Sequence, residues 1–136
     1  MKFLYVCRAN VGRSQMAAAY HNHFYSRYGE ADSAGTRLPS GKNFIKEVGG
    51  AQITVDAMQE EGIDISKNKL TQLTPEMIND YDHIVVMAEP ETWPAFLTGN
   101  KIEYLEVEDA NGKDLETTRR IRDEIKERID KRVRTW

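Results

Sequence analysis

The apolar positions alternate between two spacings along the chain. Residues 2–6 (Lys-Phe-Leu-Tyr-Val) form a short, nearly continuous apolar run, which predicts a buried strand. Over residues 13–28, Met16, Tyr20, Phe24 and Tyr28 recur at every fourth position and predict a helix. Residues 31–35 predict a second strand, closing at Ser33-Ala34-Gly35-Thr36. A loop over about 37–51 follows, with Pro39, Gly41, Gly49 and Gly50, and Gly35 at its edge. Val55, Met58 and Gly62 predict a helix that ends at the glycine. Thr74-Pro75-Glu76 reads as a helix start, with Thr at the N-cap and Pro in the first turn. Residues 83–88 are near-continuously apolar, as in a central parallel strand, and 102–107 predict a fourth strand. Residues 115–134 carry the clearest helical stripe, Ile121, Ile125, Ile129 and Val133. Its outer face offers the i,i+4 pairs Glu116–Arg120, Glu124–Arg128, Glu127–Lys131 and Asp130–Arg134.

Strands that alternate with helices imply a parallel sheet joined by right-handed crossovers, an α/β fold. Ligand sites in such folds lie at the carboxyl ends of the strands. Cys7 stands at that place, directly after the first strand and before the first helix.

Composition narrows the function classes. A chain of 136 residues, 40% hydrophobic and 30% charged, suits one domain over 1–136 with a packed core. The net charge of −3 gives no argument for a nucleic-acid partner. The Arg and Lys of the last helix are interleaved with acids, as on a solvated face. No apolar run is long enough for a membrane, and Met1-Lys2-Phe3-Leu4-Tyr5-Val6 is too short for a signal segment, so a cytoplasmic address is expected. One cysteine cannot form an intramolecular disulfide, which fits that compartment. His21, His23 and His83 are not spaced as ligands and there is no second cysteine, so a metal site is not expected.

The candidate chemistry lies in Cys7-Arg8-Ala9-Asn10-Val11-Gly12-Arg13-Ser14. A loop between a strand and a helix N-terminus can turn successive N–H groups onto one anion, and the helix dipole adds positive potential there. Residues 8–14 are therefore the expected oxyanion-binding loop, with Arg13 as a bidentate clamp. The same cradle favours the thiolate of Cys7, the nucleophilic form. Ser14 is placed to donate a hydrogen bond to the sulfur. Asn10 tolerates left-handed backbone geometry and can brace the loop. Gly12 is read as a point of close backbone approach. The nucleotide loop G-x-x-x-x-G-K-[ST] is absent.

This segment resembles the active-site loop of the low-molecular-weight protein tyrosine phosphatases and of the related arsenate reductases. Ser33-Ala34-Gly35-Thr36, Gly62-Ile63-Asp64-Ile65-Ser66, Gln72-Leu73-Thr74-Pro75 and Asp82-His83-Ile84-Val85-Val86-Met87 resemble further landmarks in the same order. The resemblance covers nearly the whole chain. It implies a three-layer fold, with a four-stranded parallel sheet flanked by helices on both faces. It also implies phosphomonoester hydrolysis, of protein phosphotyrosine or a small aryl phosphate, through a cysteinyl-phosphate. Such a two-step phosphoryl transfer requires no metal or organic cofactor. Cys7, Arg13 and Asp109 would be catalytic, and inorganic phosphate or another oxyanion would fit the loop.

The departures are specific. Asp109 aligns with the family's general acid, but Ala110 stands where a proline is usual, which predicts a looser loop; Glu108 and Asp114 are the fallback acids. Asn111 and Gly112 replace a pair of tyrosines, leaving Phe44 and Trp93 as candidates for a pocket wall. Gly12 replaces a second loop cysteine, so no protective disulfide can form and oxidised Cys7 needs a small thiol to cap it. Ala88 and Glu89 occupy the region of a relay cysteine, so arsenate reduction could proceed only with an external thiol. A non-catalytic phosphate-binding module is the remaining alternative.

Overall fold

The computed structural model describes residues 1–136. Four parallel strands form one sheet in the order β2-β1-β3-β4. They are β1 (Lys2–Cys7), β2 (Glu30–Gly35), β3 (His83–Val86) and β4 (Ile102–Tyr104). The α-helices are α1 (Arg13–Phe24), α2 (Ala51–Gln59) and α3 (Leu115–Val133).

Alternation along the central strands divides the core. Phe3, Tyr5, Val85 and Met87 point to one face, where α1, α2 and α3 cover them. There Ile121, Ile125, Ile129 and Val133 are fully buried, as their spacing predicts. Each such side chain contributes roughly 1.5–3 kcal/mol of burial. Leu4, Val6, Ile84 and Val86 point to the other face. Leu73, Tyr81 and the 3-10 helix Pro75–Asp80 cover that face, together with Trp93, Phe96 and Leu97 after the 3-10 helix Pro90–Thr92. Helical layers thus flank both faces, α on one and 3-10 on the other.

Several boundaries differ from the expected ones, each for a tertiary reason. The first helix ends at Phe24 rather than at residue 28, and Ser26–Tyr28 form a 3-10 turn. The chain must reverse into β2 at Gly29, where φ is +128° and an added Cβ would lie 2.0 Å from the Met1 carbonyl oxygen. Phe24, expected on the buried stripe, is 41% exposed. The segment begun by Thr74 is a six-residue 3-10 helix, because β3 starts at His83 and leaves no length for an α-helix. β3 and β4 stop short of residues 88 and 107. The Met87 carbonyl, directly after β3, and the Val107 carbonyl, three residues past β4, both accept from Arg13 instead of extending the ladder.

On α3, three expected ion pairs form: Glu124–Arg128, Glu127–Lys131 and Asp130–Arg134. The fourth does not, because Arg120 reaches Glu108 instead at 2.9 Å. Of the histidines, His21 is fully buried between two hydrogen bonds. Its Nε2 faces the Gly29 carbonyl at 3.0 Å and must donate, so Nδ1 accepts from the Tyr5 hydroxyl at 2.8 Å. Burial holds the His21 pKa below its ordinary value, against the opposing pull of the Gly29 carbonyl. No group of three or more His, Cys, Asp or Glu side chains converges, and no helix is long and apolar enough to cross a membrane.

Candidate active site

β1 delivers Cys7 to the carboxyl edge of the sheet, in register with Gly35 of β2. The chain then loops through Arg8–Gly12 and enters α1 at Arg13. Two backbone bonds tie the loop's start to the strand beside it: Thr36 donates to the Cys7 carbonyl (2.9 Å) and Arg37 to the Arg8 carbonyl (2.8 Å). Gly35 makes this closeness possible. An added Cβ there would meet the Arg8 oxygen at 2.7 Å and the Asn10 nitrogen at 2.9 Å, both backbone atoms. The close approach expected at Gly12 is therefore found at Gly35, and Gly12 itself faces open space.

Asn10 sets the loop's shape. It is fully buried with φ of +58°, the left-handed region. Its Oδ1 accepts from the Thr71 backbone N–H at 2.8 Å, so its Nδ2 must be the group facing Ser14 Oγ at 2.7 Å. Ser14 Oγ thereby accepts one bond and keeps its own proton free, so that it can donate to Cys7 Sγ, 3.0 Å away, when the sulfur is a thiolate. Gln15 locks the same loop from behind by donating to the Asn10 carbonyl (3.0 Å) and the Lys69 carbonyl (3.1 Å). No side chain caps α1 at Gly12 and no acid lies in its first turn, so those N–H groups stay open to an anion.

Arg13 is 2% exposed. Its Nη1 donates to the Met87 carbonyl (2.7 Å), Glu89 Oε1 (3.0 Å) and the Val107 carbonyl (3.1 Å). The other guanidinium nitrogens remain for a ligand, with Nη2 lying 3.9 Å from Asp109 Oδ2. Glu89 opposes two influences. Partial burial pushes its carboxyl up, but a hydrogen bond from its own N–H and the charge of Arg13 outweigh this and hold it below the ordinary carboxylate range.

A cavity of about 580 Å³ opens over the loop. Cys7, Arg8, Ala9, Val11, Gly12, Arg13 and Asp109 all line it. Asn10 and Ser14 do not, because their side chains are consumed inside the loop. Asp109 is 54% exposed at the rim, and its Oδ1 accepts from the Asn111 N–H at 3.0 Å. The fallback acids are occupied elsewhere: Glu108 pairs with Arg120, and Asp114 caps α3 by accepting from Thr117. The missing proline at 110 does not leave the loop untethered. Ala110 is buried in the core, its carbonyl accepts from Lys113, and the Glu108–Arg120 pair ties the loop to α3.

Neither aromatic candidate lines the cavity, and both are packing residues. Trp93 donates Nε1–H to the Ala88 carbonyl on the opposite face of the sheet, and Phe44 lies in a bridge with Lys69. Leu38, Val48 and Ile53 line the cavity instead. Sequence reasoning also missed the functions of Gly35, Glu89, Gln15 and Thr71. Long-range packing brings Gly35, Glu89 and Thr71 to the loop, whereas Gln15 is local and its part shows only in its bonds to Asn10 and Lys69.

A family model for low molecular weight phosphotyrosine protein phosphatase matches residues 2–135. An arsenate reductase of Brevibacillus brevis is 30% identical over 133 residues, 96% of this chain and 92% of its own. The low molecular weight protein tyrosine phosphatase of T. tengcongensis superposes with a TM-score of 0.81 at 29% identity, covering 100% of this chain and 99% of that one. An arsenate reductase in the phosphate-binding state superposes with a TM-score of 0.75 at 25% identity, over 98% of this chain and 97% of its own.

Proposed function

Because this chain belongs to the low molecular weight phosphotyrosine protein phosphatase family, we propose that it hydrolyses phosphomonoesters, protein phosphotyrosine among them, through a cysteinyl-phosphate on Cys7. The observation that carries this reading is the Asn10–Ser14–Cys7 relay, which aims a hydroxyl proton at the sulfur beside an uncapped helix N-terminus.

In the first step the Cys7 sulfur forms a bond to phosphorus as the bond to the leaving oxygen breaks. Arg13 and the N–H groups of residues 8–14 hold the equatorial oxygens and stabilise their charge. Asp109, at the rim, delivers its proton to the leaving oxygen, giving a free phenol or alcohol. In the second step a water oxygen attacks phosphorus, its proton passes to Asp109, and the sulfur–phosphorus bond breaks to release phosphate. The steps balance without metal or redox chemistry. A phenyl leaving group would rest on the aliphatic wall of Leu38, Val48 and Ile53.

A second reading is favoured by the Brevibacillus relative's likeness. Arsenate matches phosphate in shape and charge, and Cys7 could form the corresponding sulfur–arsenic bond. With one cysteine in the chain, two external thiols must supply the electrons, giving arsenite, water and a disulfide of the external thiol. A paired assay on one preparation separates these readings. Hydrolysis of para-nitrophenyl phosphate without thiol supports the phosphatase, and thiol-dependent arsenate reduction alone replaces it. Phosphate binding with neither activity reduces the protein to a binding module. Cys7→Ser should abolish turnover and keep phosphate binding, whereas Asp109→Asn should slow substrates with poor leaving groups most, by roughly 10²–10⁴-fold. Activity that survives Cys7→Ser would remove the nucleophile from this mechanism.

A further inference from the structure

The cavity over Cys7 is cationic in a chain that is acidic as a whole. Arg8, Arg13 and Arg37 line it against one carboxylate, Asp109, while the whole chain carries a net charge of −3. Arg13 is already balanced by Glu89. The other two are not balanced.

The remaining arginines show how unusual this is. Arg13, Arg119, Arg120, Arg122, Arg128, Arg132 and Arg134 each hold a carboxylate. Arg27 leans on the Tyr28 hydroxyl. Arg8 and Arg37 alone have neither a carboxylate partner nor a side-chain hydrogen bond, and both are exposed. They are also held side by side, since the Arg37 N–H donates to the Arg8 carbonyl at 2.8 Å, with Gly35 pressed against the same carbonyl. Two like charges at neighbouring rim positions repel each other. The carboxylates that engage the loop do so through Arg13: Glu89, which also feels the charge of Arg8, is hydrogen-bonded to it, and Asp109 lies 3.9 Å from its Nη2.

We infer that Arg8 and Arg37 receive a second anionic group on the substrate, a carboxylate or a further phosphate, carried by the molecule whose phosphate enters the loop. This inference rests on the phosphatase reading and deepens it. The cavity offers no aromatic ring to grip a leaving group, and the arginine pair supplies the missing recognition in ionic form. The natural substrate is thus a phosphomonoester flanked by negative charge: a phosphorylated acidic peptide segment or a small phosphorylated acid.

The test compares carboxyphenyl phosphates (ortho, meta and para) with their methyl esters, which match them in size and lack the charge. At low salt, kcat/KM for at least one carboxylate isomer should exceed that of its ester about tenfold or more, as charge-assisted hydrogen bonds allow. The ratio should fall towards one as salt is raised. Arg37→Gln and Arg8→Gln should each lower the ratio several-fold, and together they should remove it. A wild-type ratio of one or less for all three isomers overturns the inference, as does a ratio that survives in the double variant. Binding of the matching phosphonates to Cys7→Ser protein reads the same ratio without turnover. A binding preference with no hydrolysis of any ester would overturn the phosphatase reading and keep the anionic subsite. Hydrolysis with no preference would do the reverse.

Discussion

Arg13 and Asn10 do their work through partners that no local pattern announces. Asn10 combines a left-handed φ of +58° with a side chain that satisfies both Thr71 and Ser14. Asn10→Ala keeps the unfavourable backbone, which costs about 1–2 kcal/mol without asparagine's local compensation. It also strands a buried donor and acceptor, at roughly 1–3 kcal/mol. A loss of about 2–5 kcal/mol in urea denaturation is expected, together with loss of phosphate binding; an unchanged midpoint would contradict the bracing role. Glu89 neutralises Arg13 from below, and Glu89→Gln removes that charge but can keep the hydrogen bond. The guanidinium then keeps only Asp109, 3.9 Å from its Nη2 and half-exposed, as a counter-ion until a ligand arrives. Phosphate should bind tighter, on the order of tenfold. The unliganded protein should be less stable, and the deficit should shrink as phosphate is added. Calorimetric titration and melting with and without phosphate check both effects.

Among the elements, α2 is the cavity wall with the least support of its own, nine residues contributing Ala51, Ile53 and Thr54 to the lining. α3 holds it in place: Arg119 and Arg122 both reach Glu60 just past its last turn, and Arg122 also donates to the Ala57 carbonyl at 2.8 Å. Hydrogen bonds from Arg119 and then Arg122 push the Glu60 pKa down to about 2 from an ordinary 4.5. A carboxyl depressed by folding adds stability that is complete above the unfolded pKa and is lost as pH falls through the folded one. The protein should therefore lose stability as pH drops from about 4.5 towards 2, and Glu60→Gln should flatten part of that slope. A melting-temperature profile identical in the variant would show that the clamp contributes nothing. The same elements show what a one-dimensional pattern carries. The Ile121–Val133 stripe follows from period, and the strands starting at 2 and 83 follow from their apolar runs, although the second run continues to residue 88 and its strand ends at Val86. The end of α1 does not, since it is decided by Gly29 packing on Met1. Nor does the choice of Arg120, which forgoes Glu116 one turn away for Glu108 across a gap.

For the whole molecule, the order β2-β1-β3-β4 places a crevice between β1 and β3, where the chain's connections diverge to either side. Cys7 comes from the first of these strands, and the acceptors that steady Arg13 come after the third and fourth. The loop's motif was legible because the residues proposed to hold the anion are contiguous. Its supports at Gly35, Thr71, Met87, Glu89 and Val107 were not, because each is defined by a fold that must first be complete. Likewise Asp109 could be placed by alignment, but its isolation from Glu108 and Asp114 emerges only once α3 has engaged both of them.

The wide separation of Arg13 from its acceptors has a consequence for how the molecule comes alive. In a growing chain Cys7 and Arg13 are made early, while the groups that fix the guanidinium come 74 to 94 residues after Arg13. The proposed anion cradle should therefore take shape only once those groups are made and packed against Arg13. On dilution from denaturant, phosphate binding should return in the same kinetic phase as the last native tertiary signal, read from near-ultraviolet dichroism. Binding recovered in an earlier phase would mean that the nascent loop takes shape unaided.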